Sequence, residues 1–78
     1  MPPRVRTYAE EAAQRFDTTA KDVMSQSRRK HVCQARGEVM RRLRGDGFST
    51  LQIGRWFGKH HSTVIHWTRD LSPGSAAE

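Results

Sequence analysis

A chain of 78 residues with 35% hydrophobic side chains can fill one small domain, which excludes a second core and makes an enzyme improbable. A net charge of +6 favours a polyanionic partner such as nucleic acid. The single cysteine excludes an internal disulfide, and the lack of a long apolar run predicts no membrane segment and a cytoplasmic protein.

The positive charge is concentrated in the second half of the chain. Residues 28–69 hold ten Lys and Arg against two acids, whereas the flanking residues hold four bases and six acids. This distribution predicts a basic surface for phosphate contact. The alternative is a basic surface that serves only solubility.

Apolar residues at steps of three and four predict a first helix over Val5 to Phe16. Pro2 and Pro3 are expected just outside it, in a flexible segment of residues 1–4. Asp17, Thr18 and Thr19 then supply turn and N-cap chemistry for a short helix over Ala20 to Met24.

A longer helix is predicted from Arg28 to Arg44, and Gly45 to Gly47 should end it. Its inward face holds Val32, Ala35, Val39, Met40 and Leu43. Its outer face is expected to present Arg28, Arg29, Lys30, Arg36, Arg41, Arg42 and Arg44 to solvent or phosphate.

Ser49 and Gln52 have the spacing of a capping box, which predicts that a helix begins there. Its buried side should consist of Leu51, Ile53, Trp56 and Phe57. Gly58 then permits a sharp turn.

His61 or Ser62 is expected to open the last helix, with Val64, Trp67 and Leu71 facing inward. Residues 72–78, which are rich in small residues, are expected to be a disordered tail.

Two short helices around a glycine turn, with small polar residues at the start of the second, are typical of a helix-turn-helix. The N-terminal end of such a helix enters the major groove, where side chains contact base edges. The fold expected is therefore all-α, a bundle of about five helices over residues 5–71. Many helical hairpins share this spacing, so the pattern alone leaves other helical folds open.

Residues 53–66, IGRWFGKHHSTVIH, resemble the signature of the C-terminal DNA-binding domain of the bacterial replication initiator DnaA. Asp22-Val23, Ser27-Arg28 and Ala35-Arg36 fall where that family carries similar pairs, so the resemblance extends over about residues 5–71. It implies a Trp-repressor-like helical domain that binds double-stranded DNA, with a role at replication origins or in transcription regulation. No glycine-rich phosphate loop is present, so the initiator's ATPase is not expected.

The resemblance also implies particular contacts. His61, Ser62 and Thr63 would read bases in the major groove, with His60 as a further base contact, and Arg28 would contact bases from the minor groove. Phosphates would be held by Lys59, Arg36 and Arg44, by the main chain at Thr50 and Leu51, and by Arg29 and Arg55 on the same basic surface. For any single arginine the alternative is a solvated charge, and for Ser62 and Thr63 it is helix capping.

The chain departs from the family pattern at three places. His60 replaces the aspartate before the base-reading histidine, which removes an acceptor suited to a cytosine amino group and adds a possible donor. Gly37 stands where the family often has a glutamine, and the turn is one glycine shorter than in many members. Base preference at His60 and overall affinity are therefore open.

The competing functions are a metal site, an enzyme and a protein-interaction module. His61 and His66 are five residues apart and do not align on one helical face, so neither a metal nor another cofactor is expected. His31 and Cys33, two apart, point in different directions, and no small-molecule substrate is expected. A module that binds the host initiator stays open as the alternative. A monomer is expected, since no apolar heptad offers a dimer surface. Association with the nucleoid is expected from DNA binding.

Overall fold

The computed structural model describes residues 1–69, which form five α-helices and no β-strand. The all-α class predicted from the sequence is thereby confirmed. The helices are α1 (Pro3–Arg15), α2 (Ala20–Val23), α3 (Lys30–Gly45), α4 (Thr50–Phe57) and α5 (His61–Thr68). The chain divides into two compact units, residues 1–39 and 40–78, and the boundary falls within α3. Leu71 and the expected tail of residues 72–78 lie outside the described residues.

In the first unit, α1 packs against α2. The predicted start of α1 is wrong by two residues, because Pro3 is its first residue rather than a flanking one. Proline is well suited to that position, since its fixed φ is helical and its missing N–H would have had no intrahelical partner. The buried residues of α1 and α2 are Val5, Ala9, Ala12, Ala13 and Val23.

Three helices end in the same way, with one residue in the left-handed conformation. These residues are Asp17 after α1 (φ 57°), Gly47 after α3 (φ 102°) and Gly58 after α4 (φ 66°). In each case the next amide bonds back to a carbonyl in the last turn, as Lys59 N does to Gly54 O at 2.8 Å. The turn role predicted for Gly58 is confirmed.

Helix α3 begins at Lys30, two residues later than predicted. Arg28 and Arg29 therefore belong to the preceding loop. The Ser27 hydroxyl accepts a hydrogen bond from Arg29 N at 3.3 Å, and Arg29 O accepts from Cys33 N at 2.9 Å. The loop thus supplies both an acceptor to the helix start and two exposed arginines.

In the second unit, α4 begins with the predicted capping box. Ser49 Oγ accepts from Gln52 N at 3.1 Å, and Gln52 Oε1 accepts from Ser49 N at 3.0 Å. Ile53 and Phe57, four residues apart, are buried. The prediction that Leu51 is buried is wrong, because its position two residues before Ile53 places it on another face, where it is 64% exposed. Trp56 is half-buried, with its ring edge-on to Phe48 at 5.1 Å.

Helices α4 and α5 pack together with little space between their backbones. A Cβ atom at Gly54 would lie 2.7 Å from Lys59 O and 3.4 Å from His61 N. Gly54 therefore permits the connection between the two helices to cross directly over α4. Within residues 1–69, no helix is both long and apolar enough to span a bilayer.

Candidate nucleic-acid interface

The start of α5 carries four of the five side chains predicted to contact bases, and the fifth is Arg28 in the first unit. The helix begins at His61, one of the two starts predicted, and His60 is its N-cap. His60 Nδ1 accepts a hydrogen bond from Ser62 N at 3.2 Å, and His60 O accepts from Thr63 N at 3.0 Å. Residues 60–63 therefore form one hydrogen-bonded turn at the positive end of the helix dipole.

This turn is open to solvent. His60 and Ser62 are exposed, and His61 and Thr63 are partly exposed. The rings of His60 and His61 stack with centroids 4.3 Å apart and planes 33° apart. Ser62 Oγ lies 2.8 Å from His60 Nδ1, so its hydroxyl belongs to the cap as well as to the exposed surface.

The start of α4 offers main-chain donors. Its first i to i−4 hydrogen bond runs from Ile53 N to Ser49 O at 3.0 Å, and the Gln52 amide is satisfied by the Ser49 side chain. The amides of Thr50 and Leu51 precede this series, at the end of the helix where N–H groups suit an anion. These are the two positions where the sequence predicts main-chain contacts to phosphate.

Three basic side chains of the second unit differ in how free they are to reach a phosphate. Arg55 is exposed and Lys59 is partly exposed. Arg44 is partly buried, and its Nη1 donates to Phe48 O at 2.9 Å. Its Nε is buried with no hydrogen-bond partner in the described part of the chain. Arg55 and Lys59 are therefore better placed for an external phosphate than Arg44.

Arg36, in the first unit, is not on the surface. The prediction that it reaches solvent is wrong, because the residue is only 3% exposed. Its Nε donates to Val23 O at 2.9 Å, and its Nη2 donates to the carbonyl oxygens of Ser25 (2.7 Å), Ser27 (3.2 Å) and Asp22 (3.4 Å). The guanidinium is thus used to fix the segment between α2 and α3.

The charge of Arg36 predicts a place on the outer face of α3. Its position predicts burial instead, since residue 36 lies four after the buried Val32 and four before the buried Met40. An arginine at a buried helix position beside a loop can donate hydrogen bonds to the main-chain carbonyls of that loop and hold it in place. Its burial leaves Arg28 and Arg29 as the exposed arginines of this segment.

Among residues 1–69, no group of three or more His, Cys, Asp and Glu side chains is placed to hold a metal ion. The chemistry available at the exposed turn of α5 is hydrogen bonding and positive charge. Those are the means by which proteins read base edges and hold phosphates.

Comparison with known families agrees with this geometry. The family model described as the bacterial DnaA protein helix-turn-helix matches residues 9–70, which is well over half of the chain. No curated protein and no solved structure matches the chain. The match confirms the resemblance drawn from residues 53–66, and its family is one of DNA-binding rather than catalytic domains. The chain therefore belongs to the family of bacterial DnaA helix-turn-helix DNA-binding domains.

Proposed function

We propose that the protein binds duplex DNA in a sequence-specific manner, at sites related to the initiator's recognition box, and acts in replication-origin or transcription control as a monomer. The observation that carries the proposal is the exposed first turn of α5, where His60, His61, Ser62 and Thr63 lie together. A helix presented by its N-terminal end fits the major groove, where each base pair has a distinct pattern of donors and acceptors.

Phosphate contacts would fix the position of α5 on the duplex. The amides of Thr50 and Leu51, together with Arg55 and Lys59, supply such contacts from the second unit. Arg44 would contribute through the part of its guanidinium not bound to Phe48 O. In the first unit, Arg29 would contact phosphate and Arg28 would enter the minor groove, as the family resemblance implies.

Titration against labelled duplexes tests this proposal. We expect a duplex carrying the initiator's box to bind more tightly than a scrambled duplex, and the logarithm of affinity to fall linearly with the logarithm of salt concentration. With about four to six phosphates neutralised, the slope should be roughly −4 to −5. The measurement is fluorescence anisotropy at several salt concentrations.

Equal affinity for boxed and scrambled duplexes would limit the function to non-specific binding. No affinity even at low salt would contradict DNA binding itself. Salt-insensitive binding to an initiator protein, in the absence of DNA affinity, would instead support an interaction module.

Ser62→Ala and Thr63→Ala are expected to relax preference at one or two base pairs, each costing about 1–3 kcal/mol on the preferred duplex. The matched control is Arg55→Ala, which should weaken all duplexes alike and lower the salt slope by about one, because the exposed Arg55 is proposed to contact phosphate. Competition binding against a panel of single-base-pair variants distinguishes the two behaviours. A uniform loss for Thr63→Ala would show that Thr63 does not read a base.

A further inference from the structure

The hydrogen bonds around His60 determine which of its ring nitrogens carries the proton. Ser62 N lies 3.2 Å from His60 Nδ1, and a main-chain N–H can only donate. His60 Nδ1 must therefore accept, which means that it is unprotonated in this arrangement. The Ser62 hydroxyl, 2.8 Å from the same nitrogen, is consistent with this because it can rotate to donate.

A neutral imidazole whose Nδ1 accepts carries its hydrogen on Nε2. His60 is exposed, and its ring is held by the cap to Ser62 and by stacking on His61. With Nδ1 engaged in the helix cap, Nε2–H is the ring's remaining hydrogen-bonding group. The residue therefore offers a fixed donor beside the base-reading residues.

We infer that His60 is a specificity-determining residue that selects against cytosine at one position of the bound site. The inference rests on the proposed DNA-binding function. In the major groove guanine presents O6 and N7, thymine presents O4 and adenine presents N7 as acceptors, whereas cytosine presents only its amino donor. A donor fixed on Nε2 therefore has an acceptor on each of the other three bases and meets the amino group of cytosine unfavourably.

Selection of bound sequences from a random duplex library tests the inference with three variants. His60→Asp replaces the outward donor with an acceptor, whereas His60→Asn, whose Oδ1 takes over the capping bond from Ser62 N, keeps a donor on Nδ2. Aspartate and asparagine are both good N-caps, so α5 should form in each case, which circular dichroism verifies. His66→Asn is the matched control, because His66 is an exposed histidine in the last turn of the same helix.

We expect the wild type to disfavour cytosine on the contacted strand at one position by roughly three- to tenfold relative to the other bases, as one hydrogen bond permits. His60→Asp should reverse this discrimination at the same position, because its acceptor pairs with the amino group of cytosine. His60→Asn should keep the wild-type discrimination there, and His66→Asn should leave it unchanged. All four proteins should agree at the remaining positions of the site.

A wild-type preference for cytosine at the position where His60→Asp changes the selected sequence, or one preference shared by the wild type and both His60 variants, would overturn the inference while leaving sequence-specific binding intact. A library from which the wild type enriches nothing would remove the proposed function and the inference with it. The tautomer has its own readout in free protein, where ¹⁵N spectra should show the proton of the neutral ring on Nε2. A proton on Nδ1 would overturn the inference without reference to DNA.

Discussion

Arg36→Ala is expected to lower the free energy of unfolding by about 3–5 kcal/mol, because several buried or partly buried carbonyls lose a charged donor at once. The guanidinium serves Val23, Ser25 and Ser27 at distances of 2.7 to 3.2 Å, and an alanine at position 36 can serve none of them. A domain of this size has little stability in reserve, so part of the population should be unfolded at 25 °C. Urea denaturation followed by circular dichroism measures the effect.

Arg29→Ala is the control for this experiment, since Arg29 is exposed and its main-chain hydrogen bonds survive the substitution. Its free energy of unfolding should change by no more than about 0.5 kcal/mol. Arg36→Lys should remain clearly destabilised, because one ammonium group cannot reproduce the planar fork of the guanidinium. Unchanged stability of Arg36→Ala, together with a salt slope reduced by about one, would show instead that Arg36 holds a phosphate.

Gly54→Ala is expected to destabilise the second unit by about 2–3 kcal/mol and to abolish specific binding. The added Cβ would stand 2.7 Å from Lys59 O, and this neighbour is main chain rather than a side chain that could turn away. The connection to α5 must therefore move, and the turn at residues 60–63, which we propose reads bases, moves with it. Thermal unfolding and the duplex titration measure the two effects.

Gly45→Ala separates this steric effect from the general effect of replacing a glycine. Gly45 is also helical, but a Cβ there has nothing within 4 Å. Alanine should be neutral or stabilise α3 by up to about 1 kcal/mol, and DNA affinity should stay as in the wild type. If both substitutions prove equally mild, the packing of α4 against α5 is looser than the structure indicates.

Local sequence chemistry predicted the start and the end of α4 well. Ser49 and Gln52 form the capping box, and Gly58 has the left-handed conformation, because each depends on neighbours within a few residues. The boundaries of α3 and the exposure of Leu51 were predicted less well. Arg36 holds the loop before α3 by hydrogen bonds to Ser27, nine residues away, and to Val23, thirteen residues away. No local sequence pattern reveals such contacts.

The family resemblance implies that residues 60–63 contact bases from one turn, and the structure adds how that turn is made. The aspartate expected at position 60 is also a good cap. The histidine therefore preserves the local hydrogen bond while changing the group presented outward. The group that the ring presents outward depends on which ring nitrogen faces Ser62. The identity of the residue does not reveal this orientation.

The chain's one cysteine lies against the segment that Arg36 holds. Cys33 is partly buried, and its Sγ lies 3.8 Å from Ser27 O and 3.7 Å from Arg36 Nη1. Reaction of this thiol with a disulfide reagent requires access to the sulfur, so its rate reports how often the segment opens. The reaction rate of the Cys33 thiol therefore measures the local opening of the loop that bears Arg28, without any engineered label.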